Sequence, residues 1–206
     1  PQKAGAAMDR LLSAGGFDEV LLLGVAGALA PGLETGDLLL AGEYALDSPL
    51  EHGNPDGLVK PEAELVQRAE LAAAEIGMPV NTGGTLTVDH LVTEPEERLA
   101  LAQRYGSYSV NMEDYTVAQA AQKAGTPFLS VRVVLDTADQ RLPGYLPGLA
   151  SSRYNVLTKV LAMPWRVPTL LKLKSQLQLC QAVLTRFGMA YLNQMPLRTA
   201  NESAAS

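Results

Sequence analysis

Apolar residues recur along this chain in two rhythms that take turns. Four short continuous runs, at 20–23, 36–40, 83–88 and 128–135, are bounded by Gly, Pro, Asp or Asn and read as strands. Between them the apolar positions return every three or four residues, which predicts helices over 4–14, 61–76, 94–105, 116–124, 151–162 and 169–191. In 61–76 the stripe is Leu65, Ala69, Ala72 and Ile76 among Glu62, Glu64, Gln67 and Glu70, and Gly77 stops it. Thr93 with Glu96 three residues on resembles a capping box for the next helix. Gly125 and Pro127 end the small-residue helix 116–124. The last helix carries a continuous seam of Leu170, Leu173, Leu177, Cys180, Leu184 and Phe187, which reads as the last helix covering the sheet. The 128–135 run is β-branched and apolar, with Arg132 as its interior charge, so it reads as a strand covered by helices on both faces. Alternating strands and helices of this kind predict an α/β fold.

Composition narrows the class. At 206 residues, 47% hydrophobic and 18% charged, the chain predicts a folded domain with a good core. We assign residues 1–195 to one domain and 196–206 to a disordered tail. The single cysteine, Cys180, has no internal disulfide partner and no Cys/His cluster beside it, which predicts a reducing, cytoplasmic setting and no metal or cofactor. No signal-peptide pattern and no run of eighteen apolar residues is present. Charge divides unevenly: residues 1–150 hold 9 basic and 21 acidic side chains, residues 151–206 hold 7 and 1. The acidic body and 5% aromatic content argue against nucleic-acid binding. No G-x-G-x-x-G follows a strand, which argues against a dinucleotide site. Basic residues Arg153, Lys159, Arg166, Lys172 and Lys174 around Trp165 predict peripheral contact of 153–187 with anionic lipid at the inner membrane face.

Candidate chemistry gathers at predicted strand ends, where ligands bind in open α/β sheets. Glu113 stands just before a helix and Asp136 just after a strand. Each also has a structural reading: Asn111 and the acids after it suit a helix N-terminus, and Asp136 suits a helix cap. Arg132 is either a neutralising partner for these acids or a structural ion pair. Gly24 and Gly27 read as a tight turn after 20–23 whose amides can approach an anion or a ribose closely. His52 reads as solvated loop, and His90 as a polar partner inside the fold or a loop residue.

Three blocks together carry a family resemblance: Gly24-Val-Ala-Gly-Ala-Leu-Ala-Pro-Gly through Gly36-Asp37, Val110-Asn-Met-Glu113, and Val131-Arg-Val-Val-Leu-Asp136 through Asp139. They resemble, in order and spacing, the purine nucleoside phosphorylase and methylthioadenosine/adenosylhomocysteine nucleosidase superfamily, over about residues 3–145. The resemblance implies a three-layer αβα fold with a central mixed, partly barrel-like sheet. It implies cleavage of the N-glycosidic bond of a purine nucleoside, adenine foremost, by water or by phosphate as co-substrate. Asp136 would be the catalytic acid at purine N7. Glu113 would grip the ribose hydroxyls and Met112 would pack under the sugar, with Asn111, Ala26, Gly27, Leu91 and Val92 completing the substrate site. It also implies a homo-oligomer.

Departures from the family pattern are informative. Val25 stands where phosphorolytic relatives carry serine, Leu91 where an aromatic ring flanks the base, Leu135 where a serine supports the acid, and Asn111 where an acid is frequent. The family's N-terminal strand and turn are expected to be missing here, and with them the carboxylate that activates water in the nucleosidases. The stretch 163–173 is similar to hopanoid-associated phosphorylases, which implies a substrate with a large apolar group at C5′, such as adenosylhopane. A methylthioadenosine/adenosylhomocysteine nucleosidase and a non-catalytic nucleoside-binding module are the competing readings.

Overall fold

The structure, a computed structural model, describes residues 2–47, 59–144 and 167–195, with side chains in the last segment from 171 onward. His52, Trp165, the helix expected at 151–162, the basic residues of 153–166 and the tail 196–206 lie outside the described residues. Five strands, β1 (Val20–Ala28), β2 (Leu38–Leu46), β3 (Val80–Thr87), β4 (Ser109–Asn111) and β5 (Phe128–Asp136), close into a barrel in the order β1-β4-β3-β2-β5. The sheet is mixed. β1 runs parallel to β5, and β3 is parallel to both β2 and β4, while the β1–β4 and β2–β5 seams are antiparallel. The expected α/β class with a mixed, barrel-like sheet is therefore observed, and the closure is complete rather than partial.

Helices α1 (Gln2–Leu12), α2 (Ala63–Glu75), α3 (Pro95–Tyr105), α4 (Asp114–Ala124) and α5 (Val167–Asn193) surround it. Along β5 the pleat sends Leu129, Val131 and Val133 outward, where they meet Leu65, Ala69, Ala72 and Ala73 of α2 and Cys180, Val183, Phe187 and Tyr191 of α5. On the opposite side α1 and α4 cover Tyr44 and Phe128 with Leu12, Val117, Ala118 and Ala121. The alternate row of β5, Ser130 and Arg132, faces the other way and is buried too. Full burial of one large apolar side chain contributes about 1.5–3 kcal/mol, so the α5 contacts hold that helix firmly from Cys180 onward. Among the described side chains the seam is looser before Cys180, where Leu177 is exposed and Leu173 half-buried, so it is well buried only in its second half. Among the described residues no helix is long and apolar enough to cross a membrane.

Several boundaries moved for identifiable reasons. β1 does not turn at Gly24 but runs on to Ala28, with a register shift between Ala26 and Gly27. β2 continues past its apolar core to Leu46, bulging between Ala41 and Glu43. β4 is too short to announce itself by alternation. α3 starts at Pro95 with Glu94 as its cap and no side-chain capping bond, so proline's fixed φ at the first helical position replaces the expected capping box.

Candidate active site

The C-terminal ends of β1, β3, β4 and β5 meet around a cavity of about 300 Å³ lined by Val25, Ala26, Gly27, Val88, His90, Leu91, Val92, Arg98, Val110, Asn111, Met112, Glu113, Arg132, Leu135 and Asp136. This volume is at the lower end of ligand cavities. Every residue expected at the site lines it. The rim is formed by His90, Leu91 and Glu113, each more than a third exposed, while Asp136 sits at depth.

Asp136 ends β5 and is buried. Burial raises its carboxyl above the ordinary range, and the guanidinium of Arg98 pulls it back without cancelling the rise. The ion pair to Arg98 Nη2 leaves Asp136 Oδ2 and Arg98 Nε without an aligned hydrogen bond. Arg98 is fixed by three backbone carbonyls: Nη1 donates to Thr137 O at 3.1 Å and Ala28 O at 3.5 Å, and Nη2 to Val92 O at 3.0 Å. Arg98 had no place in the sequence expectations. Its signal was positional, because it lies three residues before Leu101 on the buried stripe of α3.

Around Glu113 the local fold is set by Asn111. Its Oδ1 accepts the backbone amides of Glu113 at 2.9 Å and Asp114 at 2.8 Å and the hydroxyl of Thr87 at 3.0 Å. Its Nδ2 donates to Thr85 Oγ1 at 2.7 Å and Asp114 Oδ2 at 3.0 Å. Asn111 thus lines the cavity while its amide is spent on starting α4. Glu113 is left half-exposed at the rim, reached by Arg132 Nη2 at 3.4 Å. Arg132 fits the structural ion-pair reading and, of the two candidate acids, reaches Glu113 alone, since Asp136 is paired by Arg98. It neutralises Glu113 and also forms a buried pair with Asp114, its Nε donating to Asp114 Oδ1 at 3.0 Å. Burial disfavours its charge, but Asp114 and then Glu113 outweigh that and hold it protonated.

The two glycines of β1 have an unexpected purpose. Neither has a positive φ. A Cβ at Gly24 would overlap the Arg132 guanidinium, and one at Gly27 would stand 3.1 Å from both Arg98 Nη1 and Asp136 Oδ2. Each glycine makes room for a buried arginine, and Gly27 also brings bare backbone to the cavity wall. His90 is held between Asp89 at 2.8 Å and Glu97 at 2.7 Å, and these two bonds raise its pKa, Asp89 first.

Taken together, these elements define an α/β protein in which a closed mixed barrel sets two carboxylates over one apolar-walled cavity. Residues 1–146 match the Phosphorylase superfamily, and the chain belongs to that family. It is 29% identical over 140 residues to aminodeoxyfutalosine nucleosidase of Helicobacter pylori, covering 64% of this chain and 61% of the relative. It is 31% identical over 132 residues to 5′-methylthioadenosine/S-adenosylhomocysteine nucleosidase of Bacillus pumilus, covering 59% and 57%. The chain thus spans about three fifths of the length of these curated relatives. Among solved structures, futalosine hydrolase of Helicobacter pylori superposes with a TM-score of 0.72 at 20% identity, over 93% of this chain and 75% of that one, a likeness of fold.

Proposed function

We propose that the protein cleaves the N-glycosidic bond of a purine nucleoside, with adenine as the base and a substituted 5′ position on the sugar. The observation that carries this reading is that Asp136 and Glu113, 23 residues apart in sequence, line one cavity between apolar walls. Cleavage gathers positive charge on the sugar and negative charge on the departing base, so one carboxyl must give a proton and another must stay ionised. Asp136 is suited to the first task because burial favours its protonated form. It donates to purine N7, and such help contributes about 10²–10⁴-fold. Glu113, at the rim beside Arg132, accepts from the ribose hydroxyls and faces the growing positive charge. Met112 forms the floor under the sugar, Leu91 and Val92 flank the base, and the backbone of Ala26 and Gly27 closes the remaining side.

Val25, Leu91 and Leu135 make the cavity wall more apolar than the family pattern implies, which supports a substrate that carries a hydrocarbon group. With the similarity of 163–173 to hopanoid-associated phosphorylases, the proposal extends to an adenosyl nucleoside such as adenosylhopane, processed by a homo-oligomer near the inner face of the membrane. A smaller 5′-alkylthio group is the second reading, favoured by the relative at 31% identity.

The test is free purine release from adenosyl nucleosides, with and without phosphate, and mass spectrometry of the sugar product. A sugar 1-phosphate identifies phosphorolysis, a free sugar hydrolysis. Asp136→Asn is expected to abolish release while nucleoside still binds. Binding without turnover in the wild type would leave a nucleoside-binding module and sink the catalytic reading.

A further inference from the structure

Position 111 is frequently acidic in the family pattern, yet here it is asparagine, and a carboxylate stands three residues later at Asp114. Asp114 is fully buried and is engaged on every side: Arg132 Nε and Nη2 reach Oδ1, while Asn111 Nδ2 at 3.0 Å and Thr85 Oγ1 at 3.4 Å reach Oδ2. Arg132 in turn donates to Val25 O at 3.2 Å, to Ser130 Oγ at 3.2 Å and to Glu113 Oε2 at 3.4 Å. The guanidinium is thus tied to Asp114 more closely than to Glu113, and only one of its nitrogens is shared with the rim carboxylate.

We propose that Asp114 is a positioning residue that satisfies the charge of Arg132 from below, so that Glu113 keeps its carboxylate in the cavity as the acceptor for the sugar hydroxyls. The physical reason is competition for one cation. A buried guanidinium needs a counter-charge in contact with it. With Asp114 present, Glu113 is the second, looser partner and retains acceptor capacity toward the cavity. Without it, Glu113 becomes the remaining carboxylate of the set, and Arg132 draws it into a bidentate pair that faces the protein instead of the sugar. Asn111 fits the same arrangement. A carboxylate at 111 beside Asp114 would put two like charges within hydrogen-bond distance, whereas the amide donates to one acid and caps the helix with its oxygen.

This inference rests on the nucleosidase or phosphorylase reading and is tested within it. The experiment compares kcat/KM for a 5′-alkylthio adenosine and its 2′-deoxy counterpart in the wild type, Asp114→Asn, Arg132→Gln and the double variant. The wild type is expected to favour the ribonucleoside by about 10-fold or more, the worth of a hydrogen bond to an ionised acceptor. Asp114→Asn should lose that preference, falling at least 10-fold on the ribonucleoside and little on the deoxynucleoside. Arg132→Gln leaves no cation to draw Glu113 away and should keep the preference, and the double variant, which removes both buried charges together, should regain what Asp114→Asn alone loses. Equal losses on both substrates, or a double variant whose preference stays as flat as that of Asp114→Asn, would overturn the positioning role. A wild type that releases no purine from either nucleoside would instead overturn the catalytic reading beneath it.

Discussion

Arg98 reaches out of the buried face of α3 to Asp136 at the end of β5, and both side chains are sealed from solvent. The acid that the proposed chemistry needs protonated is therefore held beside a permanent cation. Two opposing effects set its proton affinity: burial raises it, and Arg98 lowers it. The balance lies on the side of burial. The proton is retained above the ordinary carboxylate range without being locked on, a condition suited to an acid that must give up its proton during turnover.

Arg98→Gln removes the lowering influence and leaves burial alone. Asp136 then holds its proton to a higher pH. Activity that needs the protonated acid falls as pH rises through its pKa, so the alkaline limb of the kcat/KM profile moves to higher pH in the variant. Stability follows the same sign. The native state binds more protons than the unfolded one between about pH 4 and the raised value, so stability declines across that window as pH rises. In the variant the decline runs further. Removing one partner of a buried pair also costs about 3–5 kcal/mol. An alkaline limb that stays put in an active, folded Arg98→Gln protein would show that Arg98 does not act on the acid.

Gly27→Ala tests the same pair from the other side. The added Cβ would sit 3.1 Å from Asp136 Oδ2 and Arg98 Nη1 and 3.2 Å from Val110 Cγ1. Side chains and strand must give by a few tenths of an ångström, and overpacking of this kind costs about 1–3 kcal/mol. The displaced groups are the acid and its partner, so catalytic loss should exceed what stability explains: kcat falls 10-fold or more in a protein that still melts cooperatively. Wild-type kcat in Gly27→Ala would mean the tight packing has no bearing on the chemistry.

The parts of the site that rest on strand ends were legible in the sequence. Asp136 could be placed because an apolar run fixes where its strand stops, and ligands gather at such ends; Glu113 is placed by the helix that starts after it and by the family resemblance of its block. What the sequence left dark is what depends on closure. Arg98 reads as one more charge in Pro-Glu-Glu-Arg, and only its fit against Gly27 and three carbonyls explains its burial. Asp114 reads as a first-turn acid complementing a helix dipole, and it became a counter-ion only when the β5 row carrying Arg132 turned to the buried face beneath it. The barrel itself was hidden for a similar reason. Closure rests on the antiparallel seam of Leu38–Leu40 with β5, just before β2 bulges against β3 between Ala41 and Glu43, and no alternation pattern announces either. The long helix was recognised, but its seam was read too far toward the N-terminus, because leucine spacing alone does not say where the sheet it covers ends.

That last point yields a prediction about α5. Among the described side chains of the helix Cys180 is the first that is fully buried, packed with Leu129, Val131 and Phe187, and its Sγ donates to Val134 O at 3.3 Å. Burial pushes its thiol up to about 11. Reaction with disulfide reagents requires the thiolate and access to it, and the native protein denies both at neutral pH. Labelling of Cys180 should therefore be slow under native conditions and should follow unfolding in denaturant, with the same midpoint as the loss of far-ultraviolet circular dichroism. Phe187→Ala removes a fully buried ring about two turns along the same face from Cys180 and should lower stability by about 3–5 kcal/mol. The labelling midpoint should move down with it. Rapid stoichiometric labelling of the folded wild type, with no change in its spectrum, would show that α5 leaves the sheet while the barrel stays intact, and the helix would then be a separately moving cover rather than a wall of the core.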